Sequence, residues 1–590
     1  MKKATLISII CLAFVLPAFS QVFMDYVDEI VGSTAIVKEF WDVGDGEPST
    51  LINAIELDTE APADRVYQLK TDGWYPFSRA LQSPEDRAIV IEGEDDTPLV
   101  QNDGSSWVPL ISGYTDGTNT NTGILGFRND VTIKNCMILG SADDGSYGWA
   151  PIGAGAPNNT LTLDNVLMET TRWVMVQSND HAGNSVMLHN CYFVNLSGQA
   201  CRRNGGVYDN VSNPTDQFIV ENCTHVMAQG MMYKFRNFPL TNAFFNHNTF
   251  VNCSGQVFET LGYQNKWSVT NNLFVNSHVQ PYLAGLDYGE TDPDSLPMGL
   301  INVAPFPALT GDFEGLTEAG RQILVNKNGL YWGSELDAIL PAVNAAQAND
   351  SDEWVSQMIK MNTRTQAMFD DDATYPMLVE GTWIEAGDPG FTDPADLMTD
   401  ALQDLIDYTI GIMDDDGTAT LPWWRTDDNP IADNFIYPDW PIPVDLSYTN
   451  AAYLSGGYGG FPVGDLNWFP AHKTTWEAQK DAEHAAIDNG ELSPVEDAMA
   501  APSTFQLAQN YPNPFNPTTT IEFAIPVSGN VTLKVFDAMG KEVATLVNDF
   551  RNAGQSYKVK FNGAELTSGM YIYKISAGDY QVSKKMLLMK

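Results

Sequence analysis

A seven-residue pattern recurs along the first half of the chain: HNCYFVN from His189, ENCTHVM from Glu221, NHNTFVN from Asn246 and TNNLFVN from Thr270, with altered copies KNCMILG from Lys134 and DNVLMET from Asp164. Aligned, the copies put Asn135, Asn165, Asn190, Asn222, His247 and Asn271 in one column, at successive spacings of 30, 25, 32, 25 and 24 residues. Self-similarity at this period marks stacked supersecondary units, each too small to bury its apolar face alone. The next column holds Cys136, Val166, Cys191, Cys223, Asn248 and Asn272, and a short strand-like run such as VTIK, LTLD, VMLH, FIVE or WSVT precedes each copy.

Strand, Asn bend, strand, turn, strand describes one coil of a parallel β-helix. Neighbouring strands lie about 4.8 Å apart, so equivalent residues of successive coils stack. Asn suits the bend because it tolerates unusual backbone angles and can hydrogen-bond an Asn above or below it. Cys191 and Cys223 then fall on neighbouring coils as small buried hydrophobes, where a disulfide is allowed but not required. Apolar alternation in RVYQLKTDGWYPFSRA and RAIVIEGED starts the coils earlier, so residues 61–290 form the solenoid and 21–60 cap its open end. Period and Asn column together resemble the right-handed parallel β-helix, pectate-lyase-like superfamily. The resemblance implies a mainly β solenoid and polysaccharide chemistry.

Outside the repeats the chain changes character. Lys2 and Lys3, an apolar run from Ala4 to Phe19 and the small residues Ala18 and Ser20 read as a secretory signal peptide over 1–20. Cys11 lies inside that run without the small residue that precedes a lipoprotein cysteine. The remaining Cys136, Cys191, Cys201, Cys223 and Cys253 are odd in number. No later window is apolar enough to span a membrane. From 291 to 490, helical spacing after Asp393-Pro394 and in SDEWVSQMIKMNTRTQAMF and HKTTWEAQKDAEHAAIDNG alternates with aromatic, acidic loops, an elaboration packed on the last coils and one flank of the solenoid, with a separate domain as the alternative. Polar, Pro-containing 491–504 is a linker.

Residues 505–590 alternate apolar and polar in TIEFAI, VTLKVFD, YKVKF and MYIYKIS between Gly and Asn turns, which predicts a small antiparallel, Ig-like β-sandwich. Tyr511, Pro512, Asn513, Pro514, Phe515, Asn516 and Pro517, then Gly540, Ser568-Gly569, Tyr571 and the pair Lys584-Lys585 resemble the C-terminal sorting domain of type IX secretion cargo. That resemblance implies an outer-membrane translocon and a sortase-like peptidase as partners, with release or attachment at the cell surface.

With 31 basic against 75 acidic residues and a formal net charge of −44, the chain is a poor ligand for nucleic acid. No Cys/His spacing suits zinc, and no metal-ligand set is assigned. Alignment of the third strands places Arg202, Lys234 and Glu259 on consecutive coils, with Arg203 and Arg236 nearby, so four of the few cations gather there. A lyase acting on uronic acids needs positive charge or Ca²⁺ to neutralise the substrate carboxylate and a base for the adjacent proton. Arg202 and Arg236 suit the first role, Lys234 or Tyr233 the second. Arg203, His181 and the aromatic pair Trp423-Trp424 are candidate substrate contacts. Carboxylates in MDDDGTATLP and FDDDATY are candidates for Ca²⁺, without a full EF-hand series. A glycosidase would want two carboxylates about 5 to 9.5 Å apart on facing strands, and the sequence favours none, so a lyase is the preferred enzyme. The competing expectation is a non-catalytic adhesin or envelope structural protein in which Lys234 and Glu259 are a charge ladder.

Overall fold

The computed structural model describes residues 23–590 except 45, 198–202, 212, 237, 285–291, 308–313, 347–352, 414–418, 425, 429–435, 492–505, 511–512, 526–528, 538, 552–554, 565 and 579. Two compact units result: the chain up to Asn450 with Val463–Pro470, and Ala451–Pro462 with Ala471–Lys590.

The first unit is mainly β, built on large parallel sheets in which each strand pairs with its counterpart one repeat later. One ladder runs through Val66–Leu69, Ile89–Gly93, Val131–Leu139, Thr160–Glu169, Asn184–His189, Thr215–Glu221, Leu240–Asn246, Gln264–Thr270, Gln322–Asn326 and Leu378–Glu380. A second passes through Trp74–Phe77, Leu110–Thr115, the far halves of Val131–Leu139 and Thr160–Glu169, then Tyr192–Leu196, Thr224–Ala228, Thr249–Cys253, Leu273–Val275, Asn328–Tyr331 and Trp383–Ile384. The third is shorter: Leu81–Gln82, Leu125–Phe127, Ile152–Ala154, Val174–Gln177, Gly206–Asp209, Tyr233–Phe235 and Phe258–Thr260.

The recurring Asn sits at the bend between the first two ladders. Asn135, Asn165, Asn190, Asn222, His247 and Asn271 all have φ between 53° and 57°, the left-handed region that Asn enters more cheaply than other residues with a side chain. The stacking of amides is one residue further on than expected. Within the bend column Asn165 donates to Asn135 (3.0 Å), but the continuous run is inside the core. There Asn248 donates to Asn272 and Asn272 to Asn328. At its other end the Cys223 amide donates to Asn248. Cys136, Cys191, Cys223 and Cys253 are free and buried, so Cys191 and Cys223 pack without a bridge.

Core aromatics stack in the same way. Phe193, His225, Phe250 and Phe274 form a pile with centroid separations of 5.0, 4.2 and 5.1 Å. Close rung spacing excludes side chains at the turns into the third ladder: a Cβ on Gly255 would fall 2.4 Å from the Gly230 carbonyl carbon.

At the N-terminal end, Val27–Val31 and Thr34–Val37 form a hairpin whose second strand continues the first ladder in parallel. The outer strand exposes Asp28 and Glu29, charges that discourage pairing at a sheet edge. Helix Thr50–Leu57 buries Leu51, Ile52, Ala54 and Ile55. Later, the helix expected to start at Pro394 begins instead at Asp400 and ends at Ile412, because Pro394 closes a turn with Leu397 (3.0 Å). Among its described residues, SDEWVSQMIKMNTRTQAMF is helical only over Thr363–Phe369.

In the second unit, helix Lys480–Asp488 precedes two antiparallel sheets. One contains Gln506–Leu507, Thr518–Ile525 and Gln555–Asn562; the other contains Gly529–Asp537, Glu542–Arg551, Gly569–Ala577 and Tyr580–Leu588. Alternate residues of both, including Ile521, Phe523, Leu533, Val535, Tyr573 and Ile575, share one hydrophobic cluster. Among the described residues, no helix is long and apolar enough to cross a membrane.

Candidate functional site

The third ladder gathers the charged candidates. Its register stacks Gln177, Asp209, Lys234 and Glu259, while alternation sends Tyr208, Tyr233 and Phe258 to the core. Asp209, and not Arg202, is therefore the strand neighbour of Lys234. Seven extra residues in that repeat displace the alignment: the spacing from Asn190 to Asn222 is 32, against 25 in the repeats on either side. Arg202 itself lies outside the described residues.

Asp209, Lys234 and Glu259 are fully buried, with Arg203 and Arg236 at 13% and 21% side-chain exposure beside them. Arg236 pairs with Asp209, and Arg203 with Glu259 at 2.5 Å. The Trp173 indole N–H donates to Asp209 (3.1 Å), and its ring lies 6.0 Å from the Lys234 ammonium. Lys234 Nζ is 3.8 Å from Asp209 but, among the described residues, makes no hydrogen bond, and Glu259 Oε2 likewise has no partner among them. Burial holds the Lys234 pKa down to about 8; Asp209 and Glu259 oppose that shift, and Arg203 and Arg236 reinforce it.

Tyr233 occupies the opposite face. Its hydroxyl is 2.7 Å from His225 Nε2, and His225 Nδ1 is 3.2 Å from the Thr249 carbonyl; a carbonyl only accepts, so Nδ1 carries the proton and Tyr233 donates. Burial raises the Tyr233 pKa well above that of an ordinary phenol. His181 lies in the turn after Gln177, with its amide on the Ser178 carbonyl.

An aromatic and cationic surface continues from Trp173 toward earlier repeats. The Trp173 amide bonds the Trp149 carbonyl (3.0 Å), Trp149 is 52% exposed, and the Arg172 guanidinium lies 4.2 Å from its ring centroid. Trp423 meets Tyr147 edge-on at 6.1 Å and donates to the Ser197 carbonyl. Trp424 is almost fully buried, its indole N–H committed to Asp396 (2.7 Å). Trp149, Arg172, Trp173 and Asp209 were missed in the sequence, where GSYGWA and TRWVM carry the aromatic signal but fall in the turns between repeats. In FDDDATY, Asp371 accepts the Thr374 amide as a turn residue, and 414–418 of the other acidic run lie outside the described residues.

Comparison with family models decides one part of the chain. Residues 509–589 match the secretion system C-terminal sorting domain. The chain carries a type IX secretion sorting domain. This domain marks an exported protein, destined for the outer membrane, the cell surface or the exterior, and implies interaction with the type IX secretion system. Neither the comparison with curated proteins nor that with solved structures finds a match.

Proposed function

We propose that the sorting domain delivers a parallel β-helix whose third ladder engages an acidic polysaccharide and cleaves it by β-elimination. The supporting observation is the gathering of Trp149, Arg172, Trp173, Arg203, Lys234 and Arg236 on successive repeats of a chain whose net charge is −44. Tryptophan faces suit sugar rings and guanidinium groups suit uronate carboxylates. In this reading Arg203 and Arg236, with Arg202 as a further candidate, neutralise the carboxylate. The neutral amine of Lys234 takes the proton from the adjacent carbon, the glycosidic C–O bond breaks, and the departing oxygen is protonated to leave an unsaturated sugar.

The test is a screen of the secreted protein against alginate, pectate, chondroitin-type and neutral polysaccharides with added Ca²⁺, following ultraviolet absorbance and reducing ends together. An absorbance rise that Lys234→Ala abolishes supports the lyase, with a rate climbing as pH passes about 8. Reducing ends without absorbance mean hydrolysis. A second reading, a non-catalytic adhesin or envelope structural protein, draws on the full burial of Lys234, Asp209 and Glu259 and their internal pairing. Silence in both assays selects it.

A further inference from the structure

Four of the buried acids in the first unit face a cation. Asp58 pairs with Arg65 (2.7 Å), Asp209 with Arg236, Glu259 with Arg203 and Asp292 with Arg364 (2.6 Å). Glu169, on the first and second ladders, is fully buried, and among the described residues no basic side chain pairs with it. Its Oε1 accepts from Asn195, and among the described residues its Oε2 has no hydrogen-bond partner. The residue lines a small recess, partly open to solvent, together with Tyr192, Asn195, Trp424 and Asp439. The Tyr192 hydroxyl, also buried, is a second polar group there without a partner.

We propose that this recess binds a divalent cation of the calcium class through the carboxylates of Glu169 and Asp439. The polar groups named in the recess offer oxygen donors and no thiolate or imidazole, which selects a hard cation. Two carboxylates supply the charge, the Tyr192 hydroxyl offers a neutral oxygen, and the open side admits the waters that a six- to eight-coordinate ion takes. Irregular coordination of this kind suits Ca²⁺ better than Mg²⁺, which demands a near-ideal octahedron. Burial, with the nearby Asp439 charge and against the Asn195 hydrogen bond, raises the Glu169 pKa to about 8; a bound cation offsets the first two influences.

The site would join two parts of the first unit. Glu169 belongs to the ladders, whereas Asp439 follows the segment that Asn195 holds, by accepting the Trp424 amide (2.6 Å) and donating to its carbonyl (2.8 Å). The ion therefore clamps Asp439 to the parallel sheets. This inference does not depend on the polysaccharide reading.

The test uses the full chain freed of metal with chelator, titrated calorimetrically with CaCl₂ and melted with and without it. One site is expected, with Kd on the order of 10⁻⁴ to 10⁻³ M as in extracellular calcium modules, and a Tm that rises with Ca²⁺ more than with Mg²⁺. Glu169→Gln and Asp439→Asn should each remove both responses while circular dichroism remains unchanged. If Glu169→Gln does not fold, Asp439→Asn at the half-buried position carries the test. Absence of heat and Tm shift at about 10 mM CaCl₂, responses that survive in Asp439→Asn, or an equal response to Mg²⁺ would overturn the proposal.

Discussion

Asn272 Oδ1 accepts two hydrogen bonds from Asn248, one from the backbone N–H at 3.0 Å and one from Nδ2 at 2.9 Å. The Asn272 amide nitrogen in turn donates to Asn328 Oδ1 and to the Phe245 carbonyl. All three asparagines are fully buried. Replacing Asn272 by Ala strands two Asn248 donors and takes a donor from the Phe245 carbonyl, while Asn328 Oδ1 keeps the residue-272 backbone N–H, so a loss of about 3 to 5 kcal/mol is expected from the unsatisfied groups and the cavity. Urea unfolding measures it; a loss under about 1 kcal/mol would mean that the ladder is dispensable.

Much of this arrangement was legible in the sequence, because a bend that needs a left-handed residue selects Asn at a fixed period. The same repeat held a second signal that went unread. Five residues after the bend, Thr170, Asn195, Met227, Asn252 and Asn276 also have φ between 49° and 62°, and the final Asn of HNCYFVN, NHNTFVN and TNNLFVN is that column. Three of these asparagines hold later chain: Asn195 bonds Trp424, Asn252 donates to the Leu397 carbonyl (2.7 Å), and Asn276 accepts the Gly333 amide (2.9 Å). Such contacts are invisible to a local pattern, since their partners lie 145 and 229 residues away for Asn252 and Asn195. The strand register that puts Asp209 beside Lys234 was hidden for a different reason, the longer loop before it. The parallel register also continues through Gln322–Asn326 and Leu378–Glu380, where the seven-residue motif has faded and only the strand partners reveal it.

Asn252→Gly separates the two roles of that second column. Glycine accepts the positive φ, so the ladders should remain intact, while the bond to Leu397 disappears. One lost hydrogen bond of about 1 kcal/mol should speed protease cleavage around residues 394–400 by roughly fivefold. Asn252→Ala should show the same effect plus a fall in overall stability, since Ala resists the left-handed region.

For the ionic cluster, the two partners of the 3.8 Å contact should respond unequally. Asp209→Ala leaves Lys234 and Arg236 facing each other without their shared anion, an expected loss of about 3 to 5 kcal/mol. Lys234→Met leaves Asp209 with Arg236 and the Trp173 N–H, removes an ammonium that has no hydrogen bond, and should cost under about 1 kcal/mol or stabilise. The folded pKa of Lys234, about 8, lies below its ordinary 10.5, so the unfolded chain binds the extra proton. Stability from this group therefore rises between pH 8 and 10.5, and the slope should vanish in Lys234→Met. Urea midpoints across that range decide the matter.

The pile of rings around His225 makes the opposite limb of the pH profile. Burial pushes the His225 pKa down to about 3, with partial relief from the Thr249 carbonyl, and burial likewise holds His278 at about 4. Both imidazoles stay neutral in the folded chain while the unfolded chain takes up protons below about 6.5, so stability falls as pH drops from 6.5 toward 3. A Phe at 225 fits between Phe193 and Phe250 in stacking geometry, but alone it strands the Tyr233 hydroxyl. The double substitution His225→Phe, Tyr233→Phe removes both polar groups from the core. It should leave stability at pH 7.5 within about 1 kcal/mol of wild type and make the protein more acid-resistant by several kcal/mol near pH 4. Melting curves at the two pH values test this, and an unchanged acid limb would show that His225 does not titrate with unfolding.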